Sequence, residues 1–370
     1  MVDRTMAARF GSLRVPFALV WSDRHRSHQV RARGHVERPA RVAALLESVG
    51  RTGLFTPVKL RHFGEGHVLA VHDRDLIEYM KAVCRTVGRT EPVCPYVFPS
   101  RDLPRPPRNL DARAGYYCCD TITPLDEGAY EAARAAVDVA LTAADELLHG
   151  RRVAYALCRP PGHHAERRVF GGFCYLNNAA IAAHFLSRHG RVAVLDIDLH
   201  HGNGTQDIFS RRSDVLTVSI HGDPTCTYPY VSGFKHETGE GEGRGYNRNF
   251  PLPESADEAA YLRATEQAVR LIGRFAPTFL VVSLGLDTMA RDPAGGFGLR
   301  PSALHQVGRR IGCLGLPTLV VQEGGYSLRN LRSGAAAFFT GMADAAGRPD
   351  ASCIVRRRRP RNGAEDRDAV

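Results

Sequence analysis

Short apolar runs alternate with longer amphipathic segments along most of this chain. PFALVW at 16–21, the stretch at 57–62, VAYALCR at 153–159, RVAVLDID at 191–198, VLTVSIH at 215–221, FLVVSLG at 279–285 and PTLVVQE at 317–323 read as strands. Helices are expected at 37–50, where Pro39 falls near the first turn at little cost, and at 72–85, 127–149, 177–188, 256–274 and 302–314. The strands are apolar on both faces and helices separate several of them, the pattern of a mostly parallel sheet covered on both sides. With no internal repeat and no clean boundary, a single domain over residues 1–350 is expected.

Residues 88–120 break the alternation: many prolines, little periodicity, and a length unusual for a structureless connection. The aromatics Tyr96, Phe98, Tyr116 and Tyr117 favour an ordered loop that walls a pocket or meets a partner subunit.

Composition narrows the class. The hydrophobic fraction of 44% supplies a sizeable core for 370 residues. No run of 18 apolar residues suggests a membrane span, and the opening residues lack a secretory apolar stretch. Nine cysteines without a CxxC pair read as reduced thiols of a cytoplasmic protein. Part of the net charge of +10 comes from Arg356–Arg359 and Arg361, in a C-terminal stretch over 351–370 that reads as a solvated tail rather than a nucleic-acid binding element.

In folds of this class ligands bind beyond the C-terminal strand ends, and four polar clusters sit there. Asp196 and Asp198 lie two residues apart with His200 two further on, followed by His201, Gly202 and Asn203. Two carboxylates held close raise each other's pKa unless a cation intervenes, and Zn²⁺ accepts imidazole and carboxylate together. A purely structural polar cluster is the competing reading. Asp287 follows a second strand; alone it reads as a cap, and as a third ligand it leaves a coordination position open. Arg159-Pro-Pro-Gly-His163-His164 places two imbidazoles after a stiff turn, where acid–base chemistry or simple burial both account for them. Glu323-Gly-Gly-Tyr326 brings a tyrosine hydroxyl to the last strand end, either for an oxyanion or as plain packing.

Together these stretches resemble the zinc-dependent histone deacetylase superfamily of the arginase–deacetylase fold. The matching motifs are RPPGHHA at 159–165, GGFCYLNNAAIAA at 171–183, VLDIDLHHGNGTQ at 194–206, VSIHGDP at 218–224, SLGLDTMARDP at 283–293 and QEGGY at 322–326. The segment at 228–253 and the proline-rich loop at 88–108 are similar to those of bacterial acetylpolyamine amidohydrolases. The resemblance runs from about residue 15 to 343. It implies an α/β fold with an eight-stranded, mostly parallel sheet, and a homodimer formed through the 88–120 loop.

The resemblance also assigns roles. Asp198, His200 and Asp287 would hold one catalytic Zn²⁺ per subunit. His163 would bond to Asp196 and His164 to Asn203, with His164 the principal base and acid. Tyr326 would polarise the amide carbonyl. Phe173 and Tyr228 would wall a narrow tunnel, and the Gly172 carbonyl would face the substrate amide. A structural K⁺ would sit on Asp196 and Ser219 side chains and on backbone of Asp198, His200 and Ile220, with a second monovalent site around Phe209. The implied activity is removal of acetyl groups from N-acetylated polyamines. Relatives often carry phenylalanine where this chain has Leu286, a conservative apolar change.

A cationic substrate calls for carboxylates near the tunnel mouth, and Glu91 is the first candidate, ahead of Asp102 and Asp111. The alternative substrates are acetyl-lysine in proteins or another N-acetylated small molecule. A non-enzymatic metal-binding role sits poorly with the complete set of site residues, and an arginase-like pair of Mn²⁺ ions needs more carboxylates than these stretches offer.

Overall fold

In a computed structural model the described residues are 17–87, 91–98 and 106–347. The strands are β1 (Phe17–Val20), β2 (Phe55–Pro57), β3 (Val153–Ala156), β4 (Val192–Asp196), β5 (Val215–Gly222), β6 (Asn247–Leu252), β7 (Phe279–Leu284) and β8 (Thr318–Gln322). The helices are α1 (Ala40–Gly50), α2 (Gly66–Leu69), α3 (Arg74–Thr86), α4 (Ala114–Tyr117), α5 (Ala129–Leu148), α6 (Asn178–Ser187), α7 (Asn203–Phe209), α8 (Glu258–Phe275), α9 (Pro301–Gly312) and α10 (Leu328–Gly347).

The eight strands form one sheet in the order β2-β1-β3-β8-β7-β4-β5-β6, and every pairing is parallel. The expected eight-stranded sheet is present, and it is wholly parallel. Side chains alternate across the sheet as the pleat requires. Ala154, Val194, Val281 and Leu319 face one core with helices α3, α5 and α6. Tyr155, Leu195, Val282 and Val320 face the other with α1, α8, α9 and α10. Burial on both faces is why these strands read as unbroken apolar runs.

The structure differs from the sequence reading at several elements. The strand expected at 57–62 is the shorter β2, ending at Pro57. The residues beyond are tied to α5 instead: the Arg61 N–H donates to Thr142 Oγ1 at 3.1 Å, and His62 Nδ1 lies 2.8 Å from Asp138 Oδ2. β6 is half polar and carries a proline, and it occupies the sheet edge, where both features are tolerated. β4 stops at Asp196 because the Asp196 carboxylate takes the Asp198 N–H at 3.0 Å.

The 88–120 loop is folded where described. Val93 pairs with Leu125, α4 lies within it, and Tyr117 stacks on Tyr79 with ring centroids 4.7 Å apart. Tyr96, Val97 and Phe98 are exposed. Asp102 and the arginine-rich stretch at 351–370 lie outside the described residues. Seven cysteines are free thiols, whereas Cys313 is disulfide-bonded, which corrects the expectation of reduced thiols throughout. Among the described residues no helix is long and apolar enough to cross a membrane.

Candidate active site

The adjacent strands β4, β7 and β8 deliver the polar groups from their C-terminal ends. After β4 the backbone turns on its own carboxylates: the His200 N–H donates to Asp198 Oδ1 at 2.9 Å, and the Leu199 N–H to Asp287 Oδ1 at 3.1 Å. The Gly324 N–H, just past β8, donates to Asp198 Oδ2 at 2.8 Å. These bonds aim the three side chains at one point. His200 Nδ1 lies 3.1 Å from Asp198 Oδ1 and 3.3 Å from Asp287 Oδ2.

That arrangement fits a metal ion. Two ligands about 2.0–2.1 Å from Zn²⁺ at a tetrahedral angle stand about 3.3 Å apart. Asp287 Oδ2 is buried without a hydrogen-bond partner, an orphan that a cation would satisfy. The cradle is closed by glycine: a Cβ on Gly324 would come within 2.3 Å of Asp287 Oδ2, and one on Gly285 within 2.2 Å of Asp198 Oδ2. Burial and then the Asp198 charge push Asp287 up to about 6. Burial pulls His200 down, but its bonds to Asp198 and Asp287 outweigh that and hold it at about 10. A proton and a metal compete for this nitrogen.

The two histidines follow β3 on the Pro-Pro-Gly turn. His163 Nδ1 lies 3.0 Å from Asp196 Oδ2, and His164 Nδ1 lies 2.8 Å from Asn203 Oδ1. Their rings are 4.0 Å apart between centroids yet differ in charge preference. For His163 burial favours the neutral ring, but Asp198 and Asp196 outweigh it and raise its pKa to about 10. For His164 burial, reinforced by the neighbouring His163 and His200, holds the pKa well below the ordinary value. The carboxylates thus favour the charged form of His163, and burial favours the neutral form of His164.

Tyr326 follows β8 and is set by its backbone. Its N–H and that of Ser327 both donate to Asp292 Oδ2 at 2.9 Å. The Arg41 guanidinium donates to the Gly325 carbonyl at 2.7 Å and to that of Glu323 at 2.5 Å. Phe173 packs edge-on against Tyr326 at 5.6 Å, and Tyr228 against His164 at 4.8 Å. Gly172 has φ +59°, and a Cβ there would strike the His164 ring at 2.2 Å, so only glycine fits. Glu91 is exposed and makes no hydrogen bond or ion pair among the described residues. Asp111 is likewise exposed. Asp196 and Ser219 are paired across β4 and β5, with Ile220 next in the strand.

Several residues of the site escaped the sequence reading. Asp120 Oδ2 accepts from the Gly172 N–H at 2.6 Å and the Tyr228 hydroxyl at 3.0 Å, so a carboxylate stands in the wall itself. Asn203 also donates to Glu166 Oε1 at 2.7 Å. Glu37 bridges Arg41 and Arg159, all three buried; the spacing of Glu37 and Arg41 by four residues was its sole sequence signal. Glu323 accepts from the Gly162 and His163 N–H groups at 2.6 and 3.2 Å and so holds the histidine turn. His163, Cys174 and Glu323 also cluster, but burial keeps the Cys174 thiol protonated and unsuited to a metal.

A model of the histone deacetylase domain matches residues 35–342. Acetylpolyamine amidohydrolase 2 of Pseudomonas aeruginosa is 42% identical over 325 residues, covering 84% of this chain and 94% of that protein. The acetylpolyamine amidohydrolase of Burkholderia pseudomallei is 43% identical over 314 residues, covering 83% and 90%. A crystal structure of acetylpolyamine aminohydrolase from Burkholderia pseudomallei superposes with a TM-score of 0.84 at 39% identity, covering 89% of this chain and 99% of that one. The chain belongs to the histone deacetylase family and groups there with the bacterial acetylpolyamine amidohydrolases.

Proposed function

We propose that this protein is a zinc-dependent amidohydrolase that removes acetyl groups from small N-acetylated amines, acetylpolyamines being the substrate class for which its relatives are named. The observation that carries this reading is the buried His164 imidazole, 5.9 Å between ring centroids from His200 of the Asp198–His200–Asp287 group. Zn²⁺ held by those three residues, one per subunit, would supply Lewis acidity toward water and the amide carbonyl.

The chain's own groups do the rest. His164 accepts the water proton at Nε2 and returns it to the leaving amine, so that acetate and a free amine depart. Burial and then the Asp287 charge keep the Tyr326 hydroxyl protonated, and it donates to the carbonyl oxygen as negative charge develops there. His163, backed by Asp196, contributes fixed positive charge. Asn203 orients His164. Phe173 and Tyr228 confine the methylene chain, the Gly172 carbonyl accepts the amide N–H, and Glu91 with Asp120 offers negative charge to an ammonium group.

Three further assignments rest on the same reading. A structural K⁺ would occupy the ends of β4 and β5 at Asp196, Asp198, His200, Ser219 and Ile220, where Asp196 and Ser219 are neighbours. The exposed Tyr96, Val97 and Phe98 support a homodimer through the 88–120 loop. The seven free thiols favour a cytoplasmic setting, and the Cys313 disulfide counts against it. Measuring kcat/KM of the zinc-loaded protein on N-acetylputrescine, N8-acetylspermidine and an acetyl-lysine peptide tests the function. Turnover of the amines above that of the peptide is expected; preference for the peptide would favour a protein deacetylase, and no turnover of any would refute the assignment.

A further inference from the structure

A cavity of about 600 Å³ opens beside Phe173, the residue that also walls the tunnel. One side is the Gln29–Val36 segment, whose His35 ring packs edge-on against Phe173 at 5.1 Å. The other side is apolar, with Pro92, Ile122 and Pro124; Ile122 is 45% exposed. Phe173, whose ring also packs against Tyr326 at 5.6 Å, joins this space to the candidate site.

Its charge is one-sided. Arg31 and Arg33 line it, both are exposed, and among the described residues neither has an ion-pair partner. Asp126 is the one carboxylate in the lining, and its oxygens are engaged: Oδ2 contacts His28 Nδ1 at 2.9 Å and the Gln29 N–H at 3.0 Å, and Oδ1 takes the Gly128 N–H at 3.1 Å. Glu91 adjoins Pro92 in sequence but does not line the cavity. Among the described lining residues the charges not already hydrogen-bonded are therefore two guanidinium groups, and like charges in such a partly enclosed space repel more than in open water.

Resting on the deacetylase reading above, we infer that Arg31 and Arg33 are specificity-determining residues that sort acetylated amines by the charge at the end remote from the acetyl group. A carboxylate there is favoured, and each ammonium beyond the one nearest the amide is penalised. Short acetylated diamines are thereby preferred to acetylated tri- and tetra-amines.

The test compares wild type with R31Q/R33Q, and with R31E/R33E, on N-acetylputrescine, N8-acetylspermidine and 6-acetamidohexanoate, each relative to uncharged N-butylacetamide. Removing the arginines is expected to raise relative kcat/KM for N8-acetylspermidine about tenfold and to lower it for 6-acetamidohexanoate by a similar factor, through KM, with the glutamates extending both trends. About 0.5 M salt should narrow the wild-type differences in the same direction. Ratios that stay within about twofold in both variants overturn the inference while leaving the deacetylase reading intact. Failure of the zinc-loaded wild type to hydrolyse any of the four, N-butylacetamide included, overturns both.

Discussion

Asn203 Oδ1 stands 2.8 Å from His164 Nδ1, while the same amide donates through Nδ2 to Glu166 Oε1 at 2.7 Å. The second contact fixes which way the amide faces, so Oδ1 is the acceptor and His164 Nδ1 must carry the proton. The lone pair is then on Nε2, the free nitrogen of the base. N203D would replace a neutral acceptor by a charge and raise the His164 pKa. Because the base works when neutral, the acidic limb of the kcat/KM profile should move to higher pH by about 1–2 units. A limb that stays in place would show that His164 does not govern that ionisation.

His164→Ala should lower kcat by about 10²–10⁴-fold, the usual contribution of a positioned base, with zinc still bound. Metal analysis alongside kinetics checks this. A zinc-loaded, folded variant with near wild-type kcat would remove His164 from the mechanism.

Asp287→Ala should instead lose the metal. The substitution removes the unpartnered Oδ2, a ligand, together with Oδ1, which accepts the Leu199 N–H, so the fold should be checked alongside the metal. Elemental analysis after dialysis should show depleted zinc, and chelation of the wild type should abolish activity that added Zn²⁺ restores. Full zinc retention in the variant would contradict the ligand assignment.

Stability should fall between pH 6.5 and about 4 through His72. This residue is fully buried, its Nδ1 is 2.9 Å from the Glu166 carbonyl, and its Nε2 accepts the Asn177 N–H at 2.9 Å, a pairing that demands the neutral ring. Burial lowers its pKa from 6.5 to about 4. As pH falls below 6.5 the unfolded chain takes up a proton that the folded one refuses, so stability is present above 6.5 and lost toward 4, by about 3 kcal/mol at most from this group. His25 and His221 are shifted the same way. Denaturant melts of H72Q and wild type across this range should show a shallower pH slope in the variant; parallel curves would refute the assignment.

What the sequence made legible follows from what the elements bury. The six inner strands are covered on both faces, so β3, β4, β7 and β8 announced themselves as apolar runs. β6 lies at the edge and needs no such covering, and its Asn247 and Asn249 hid it. The metal group was readable from two short motifs at strand ends, and the histidine pair from one. Asp120, Asp292 and Glu166 were not, since each acts through a backbone N–H or a partner side chain brought in from elsewhere. Glu91 was chosen by charge alone, and charge without a measured position cannot distinguish a tunnel mouth from open solvent.

Arg41 sits on the first helix, yet it holds the backbone of residues 323–325, more than 280 positions later. All three metal-binding side chains precede residue 288, so they leave the ribosome before the segment that braces them. A nascent or truncated chain ending ahead of β8 would carry every ligand and still lack the Gly324 N–H and the anchored Gly-Gly-Tyr turn. Bracing of the three candidate ligands therefore waits on β8 and the turn that follows it.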